Sequence, residues 1–122
     1  MDPAEREALC HLIEAAAKKG EVGPAGGYVY VIWGRFKGEV LHKIGQSNNP
    51  SQRASQLRQK HPGCGARVRH TILTSDPFKL ERALHLIFEP QLGGGPSWEW
   101  FRLDTTDLAW LMALEYVDMA GF

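Results

Sequence analysis

Cysteine is scarce in this sequence, and the two present, Cys10 and Cys64, form neither a disulfide framework nor a paired-cysteine zinc spacing. Net charge is absent as well: 14 basic and 14 acidic residues cancel. Long apolar runs are missing, the longest, residues 28–33, falling far short of the ~20 residues of a membrane span. Met1-Asp2-Pro3-Ala4-Glu5 lacks the basic start of a secretory signal. These absences point to a reduced, soluble, cytoplasmic (intracellular) protein with no membrane partner. A chain of 122 residues can close one hydrophobic core and is short for two.

The cancelled charge is unevenly distributed. Residues 1–34 carry three basic and five acidic groups, residues 35–82 ten and three, and residues 83–122 one and six. The middle segment is thus +7 between flanks of −2 and −5, a local patch suited to a polyanion. A solvated face beside an acidic helix would give the same count.

Asp2-Pro3-Ala4-Glu5 has the form of a helix start, with Asp as N-cap, Pro at the first helical position and Glu closing a capping box. That helix is expected to end near Lys18-Lys19. A Gly/Pro hinge over residues 23–27 sets it apart, giving an N-terminal helix and hinge, residues 1–26, appended to a domain of residues 27–122. Residues 28–33 and 40–44 read as a hairpin. A turn centred on Phe36-Lys37 places Tyr30 opposite Lys43, with Tyr28 on the same polar face and Val29, Val31 and Ile44 on an apolar one. Asn49-Pro50 and Asp76-Pro77 cap helices over 50–60 and 77–88, with a strand over 67–73 between them. Leu80, Ala83, Leu84 and Ile87 make one apolar stripe flanked by Glu81 and His85. A flexible loop, 93–96, leads to a strand over 98–103, where Trp98 and Trp100 alternate with Glu99 as rim and core residues rather than a base-stacking platform. Asp104-Thr105-Thr106 caps a last helix that includes Glu115. The expected class is α+β, a small mixed or antiparallel sheet flanked by helices with an extra N-terminal helix.

Several short motifs recur in one order. Tyr28-Val29-Tyr30 follows Gly27; Lys43-Ile44-Gly45 comes next; Asn49 and Arg53 lie four and eight residues after Gly45; Glu81-x-x-Leu84-His85-x-x-Phe88 and Glu99-Trp100-Phe101-x-Leu103 close the series. In this order and spacing the chain resembles the GIY-YIG nuclease superfamily over about residues 27–104, and in particular its small phage-associated, meiotically up-regulated-like branch. Two positions depart from the pattern: Lys43 stands where a tyrosine is usual, and Tyr28 stands at the first position of the first motif.

The resemblance implies a metal-dependent endonuclease-like domain that hydrolyses phosphodiesters in DNA, with Tyr30, Lys43, Arg53 and Glu81 as catalytic residues. Glu81 would hold Mg²⁺, or Mn²⁺, as a hard oxygen ligand. Arg53 would contact the scissile phosphate through its planar fork, and Tyr30 would be the general base. A phenol of pKa ≈ 10 needs a nearby cation for that task, and Lys43 as its cross-strand neighbour would supply one. Tyr28, His42 and His85 are auxiliary candidates. Arg35, Lys37, Asn49, Arg58, Lys60, Arg67 and Arg69 would contact nucleic-acid phosphates and position the strand. Two other readings keep the same residues: a catalytically inactive nucleic-acid-binding module of the same fold, and a protein-interaction domain whose basic segment meets an acidic partner.

Overall fold

The computed structural model of the chain describes residues 1–20 and 22–122. Four helices, α1 (Pro3–Ala16), α2 (Pro50–Lys60), α3 (Pro77–Phe88) and α4 (Thr105–Met112), flank a six-stranded mixed sheet. The strands are β1 (Ala17–Lys18), β2 (Gly27–Phe36), β3 (Glu39–Ser47), β4 (Arg67–Thr74), β5 (Trp100–Phe101) and β6 (Tyr116–Val117), in spatial order β1-β6-β4-β2-β3-β5. The α+β class is thus observed. No helix among the described residues is long and apolar enough to cross a membrane.

Local chemistry sets the helix starts. Asp2, Asn49, Asp76 and Asp104 each accept a backbone N–H from three residues on, satisfying a donor that the helix itself leaves unpaired. α1 stops at Ala16, short of Lys18, because Ala17–Lys18 leaves the helix to pair with β6. Ile13 of this helix is fully buried in the main core, so α1 is a working part of that core. α4 ends at Met112, and the Glu115 region instead turns into β6, which joins β4 in parallel.

The β2–β3 hairpin departs from the expected register. Its loop is Lys37-Gly38, with φ of 51° and 77°, and Phe36 pairs with Glu39. Two consecutive left-handed residues make the tight two-residue turn whose twist matches that of the strands. The turn centre moves one residue along, so Tyr30 lies opposite Gly45 and Lys43 lies opposite Ile32. Tyr30 and Lys43 still share a face, since side chains two apart on a strand point the same way.

Both faces of the sheet are covered. Val29, Val31, Ile44 and Ile72 pack with α1, α3 and α4 through Ile13, Leu80, Leu84 and Leu111. Tyr30, Ile32, Leu41 and Trp100 pack beneath α2 through Ala54 and Leu57. The expected polar face is therefore a second, smaller core. Beyond the short β5, the end of β3 is a sheet edge, and there the two sides meet.

Candidate nucleic-acid-processing site at the β3 edge

Tyr30 sits on β2, paired on both sides by β3 and β4, and is 1 % exposed. Its ring lies across the backbone of Gly45. A Cβ at that position would stand 2.5 Å from the Tyr30 Cζ, so the strand leaves room for the phenol only because residue 45 has no side chain. This close approach gives a physical reason for the glycine in Lys43-Ile44-Gly45.

α2 lies over this phenol. Its N-cap, the Asn49 Oδ1, accepts the Gln52 N–H at 3.1 Å, which commits the Asn49 side chain to starting the helix. One turn on, Arg53 donates to Gln56 Oε1 at 3.2 Å, and its positive charge acts on the Tyr30 phenol. Arg53 is otherwise exposed, on a groove of ≈ 370 Å³ that Lys43, Lys60 and Glu99 also line.

Glu81 arrives from the other side of the sheet, on the second turn of α3. Its Oε1 is 3.8 Å from His85 Nε2, and that nitrogen donates to the Ile44 carbonyl at 2.7 Å. The Ile44 N–H donates to the Glu99 carbonyl at 3.0 Å. One residue of β3 thus anchors both flanking segments, α3 through His85 and the β5 approach through Glu99. Lys43, with its side chain 6 % exposed, donates to the Glu99 carboxylate and holds its ammonium 5.9 Å from the Trp100 ring.

Electrostatics show which groups feel one another. Burial pushes the Glu81 carboxyl up to about 7, and the Glu99 carboxylate beside it adds to the rise while Lys43 opposes it. The neighbouring Glu99 side chain thus favours the protonated form of Glu81. Burial likewise raises the Tyr30 phenol; Arg53 pulls it down, and Glu99 and Glu81 push it up. Tyr30 thus lies within the electrostatic influence of Arg53, Glu99 and Glu81, and Glu81 within that of Glu99 and Lys43, which is itself bound to Glu99.

Two expectations change. Lys43 does not stand opposite Tyr30 as its perturbing cation; the changed register sets it opposite Ile32, its ammonium is bound by Glu99, and the cation acting on the phenol is Arg53. Burial outweighs Arg53, so the phenol's ionisation is made harder by its surroundings, not easier. His42 is buried on the opposite face of β3 from Lys43, neither ring nitrogen has a partner, and burial lowers it to about 4, with Arg69 contributing. A neutral imidazole sealed in that position is remote from Tyr30. Tyr28, by contrast, is 37 % exposed on the Tyr30 face.

Glu99 was not among the sequence candidates, although it opens the Glu99-Trp100-Phe101 motif. The signal was its place between an exposed and a buried tryptophan. Its role depends on two non-local partners, Lys43 and Glu81, that alternation along a strand does not reveal.

The basic residues divide between faces. Lys60 and Arg53 line the groove over α2, and Lys37 and Arg35 line a neighbouring groove of ≈ 520 Å³ with Lys60. Arg58 donates to the Ala66 carbonyl at 2.6 Å, which ties α2 to the start of β4. Arg67 lies across the ring of Trp33 at 4.2 Å, and Trp33 alternates with Ile32 and so faces away from α2. Arg69 is exposed on β4 at the irregularity in its pairing with β2.

The T5orf172 domain family matches residues 27–115, well over half of the chain. The chain belongs to the T5orf172 domain family. This is a family of phage-associated nuclease-like domains, which suggests a nucleic-acid partner. No curated protein and no solved structure matches the chain. The T5orf172 match opens at Gly27, the first residue of β2, and takes in Tyr30, Lys43, Arg53, Glu81 and Glu99.

Proposed function

We propose that this T5orf172 domain is a metal-dependent endonuclease of the GIY-YIG type that hydrolyses phosphodiesters in DNA at the β3 edge. The observation that carries the proposal is the meeting of a phenol, a guanidinium and a carboxylate pair from four separate segments at one edge, beside a cationic groove. Structural economy alone would not bury Glu81 next to a second carboxylate, since like charges at close range each raise the cost of ionisation.

The residues fit a hard divalent cation. Among the described residues Glu81 has no basic partner of its own apart from the 3.8 Å approach of His85, while Lys43 is taken by Glu99. Among the described residues no group of three or more His, Cys, Asp or Glu is placed to hold a metal, so Glu81, with Glu99 adjacent, would leave most coordination positions to water and phosphate. When bound, Mg²⁺ or Mn²⁺ supplies a Lewis acid to the phosphoryl oxygens and makes a bound water more acidic.

The chain's own groups do the rest. Glu81, in its carboxylate form, would be the protein's ligand to the cation. Arg53 holds the scissile phosphate by its forked donors and draws charge from the phosphoryl oxygens. Tyr30, a neutral phenol beside Arg53, would orient the attacking water by accepting a hydrogen bond from it. Lys43 holds the Glu99 side chain in place through their ion pair, acting as a positioning residue. Arg35, Lys37 and Lys60 hold flanking phosphates.

A second reading, a binding module without turnover, draws on Lys43, whose ammonium already neutralises one of the two carboxylates. Incubating the protein with single-stranded, duplex and branched DNA in Mg²⁺, Mn²⁺ or EDTA tests both. Cleavage that EDTA abolishes is the expected result. Salt-dependent binding without cleavage in any metal would favour the module, and no binding at low salt would contradict both readings.

A further inference from the structure

Trp98 is the most exposed large apolar side chain among the described residues, 84 % accessible, while its alternate neighbour Trp100 is 1 % exposed. The expected rim position would cover one face of the ring, but here the whole side chain stands in solvent. Its backbone is nevertheless held. The next residue, Glu99, is tied to Ile44 through its carbonyl, and Gly93 N–H donates to the Trp100 carbonyl at 2.8 Å, closing the loop on itself.

The ring stands between two grooves. On one side lie Lys43, Arg53 and Lys60, in the groove of ≈ 370 Å³; on the other lie Glu81, Arg82 and Phe78, in one of ≈ 400 Å³. Phe78, 69 % exposed, is the other exposed large aromatic side chain lining these grooves among the described residues, Trp100 and Phe101 being buried. An aromatic ring ringed by charged side chains is a poor apolar docking surface. Beside a cationic track it has the makeup of a stacking platform, since a nucleobase offers a π-face above a backbone that the cations hold.

We infer that Trp98 stacks on an unpaired base next to the phosphate held by Arg53, and that the domain's substrates are therefore DNAs with unpaired bases at the site of action: single strands, flaps and junction arms. Bases in an intact duplex stack on one another and present no free face to the ring, so such a duplex engages only the cations. The inference rests on the DNA reading of the β3 edge and adds the substrate class to it.

Binding of end-labelled oligonucleotides in EDTA, read by fluorescence anisotropy, tests the inference without any cleavage. Against a single strand, Trp98→Ala should lose affinity by about ten-fold and Trp98→Phe by much less, as expected for one stacked base. Against blunt duplex, and against a strand of abasic residues, Trp98→Ala should bind as the wild type does. Equal melting temperatures for the variants establish that the fold is kept. Wild-type affinity of Trp98→Ala for the single strand, or an equal loss on all three DNAs, would overturn the stack while leaving the DNA reading intact. Failure of the wild-type protein to bind any of them at low salt would overturn that reading and the stack with it.

Discussion

On the α3 side of the sheet the core is built from Ile13, Val29, Val31, Leu80, Leu84 and Leu111, and His42, buried on that side, is held uncharged. On the α2 side the core holds the Tyr30 phenol and the Cys64 thiol, with the Lys43 ammonium buried beside them. The first face stabilises by removing hydrocarbon from water. The second must find a partner for each polar group, so its geometry and its protonation are set together. The proposed chemistry sits at the seam, where Glu81 from the first side comes within the influence of Glu99 and Lys43 at the β3 edge.

The sharpest way to separate the two faces is one substitution in each. Leu84→Ala removes a fully buried side chain from the hydrocarbon core and should cost about 3 kcal/mol in urea denaturation, with the remaining folded protein cleaving normally. Gly45→Ala should cost less, ~1–3 kcal/mol from overpacking, yet reduce cleavage far more, because the added methyl displaces the Tyr30 ring. Equal effects of the two on cleavage would erase the contrast.

Protonation gives the next test. Folded Glu81 keeps its proton up to about 7, whereas its ordinary value is 4.5. Between those values the folded state binds more protons than the unfolded, so stability falls as pH rises, and it levels off above about 7. In EDTA the total loss should be on the order of 2 kcal/mol, measured by denaturation at pH 4.5 to 8, and Glu81→Gln should flatten it. A divalent cation should recover part of the loss at pH 8. A wild-type curve as flat as that of Glu81→Gln would contradict the raised protonation of Glu81.

The smallest expected effect concerns the cations on the two faces. DNA affinity should fall with salt at a log-log slope of about −0.7 to −0.9 per phosphate neutralised. Lys60→Ala, on the α2 side, should make that slope shallower by about one, while Arg67→Ala, stacked on Trp33 on the other side, should leave it unchanged. The reverse result would move the DNA to the Trp33 side.

The helix starts were legible in the sequence because each depends on a cap within three residues, as at Asp2, Asn49, Asp76 and Asp104. The α3 stripe was legible for a similar reason, through its helical spacing. Register was less so: one residue in the position of the turn moved Tyr30 from Lys43 to Gly45. β6 was hidden because two residues carry no period, and its parallel partner β4 ends 42 positions before it begins, at Thr74. At the site, the motif order brought Tyr30, Arg53 and Glu81 into view, but the pairing of Lys43 with Glu99 lies across 56 positions and has no local signature.

The central claim is that Glu81 holds the cation on which phosphodiester cleavage depends. Its most direct measurement is cleavage of a branched or single-stranded DNA by wild type and Glu81→Ala in Mg²⁺, with a melting curve and low-salt DNA binding recorded for each. Cleavage should disappear in Glu81→Ala while folding and binding persist, since the α3 stripe of Leu80, Leu84 and Ile87 does not need the carboxylate. Wild-type cleavage by folded Glu81→Ala would contradict the claim.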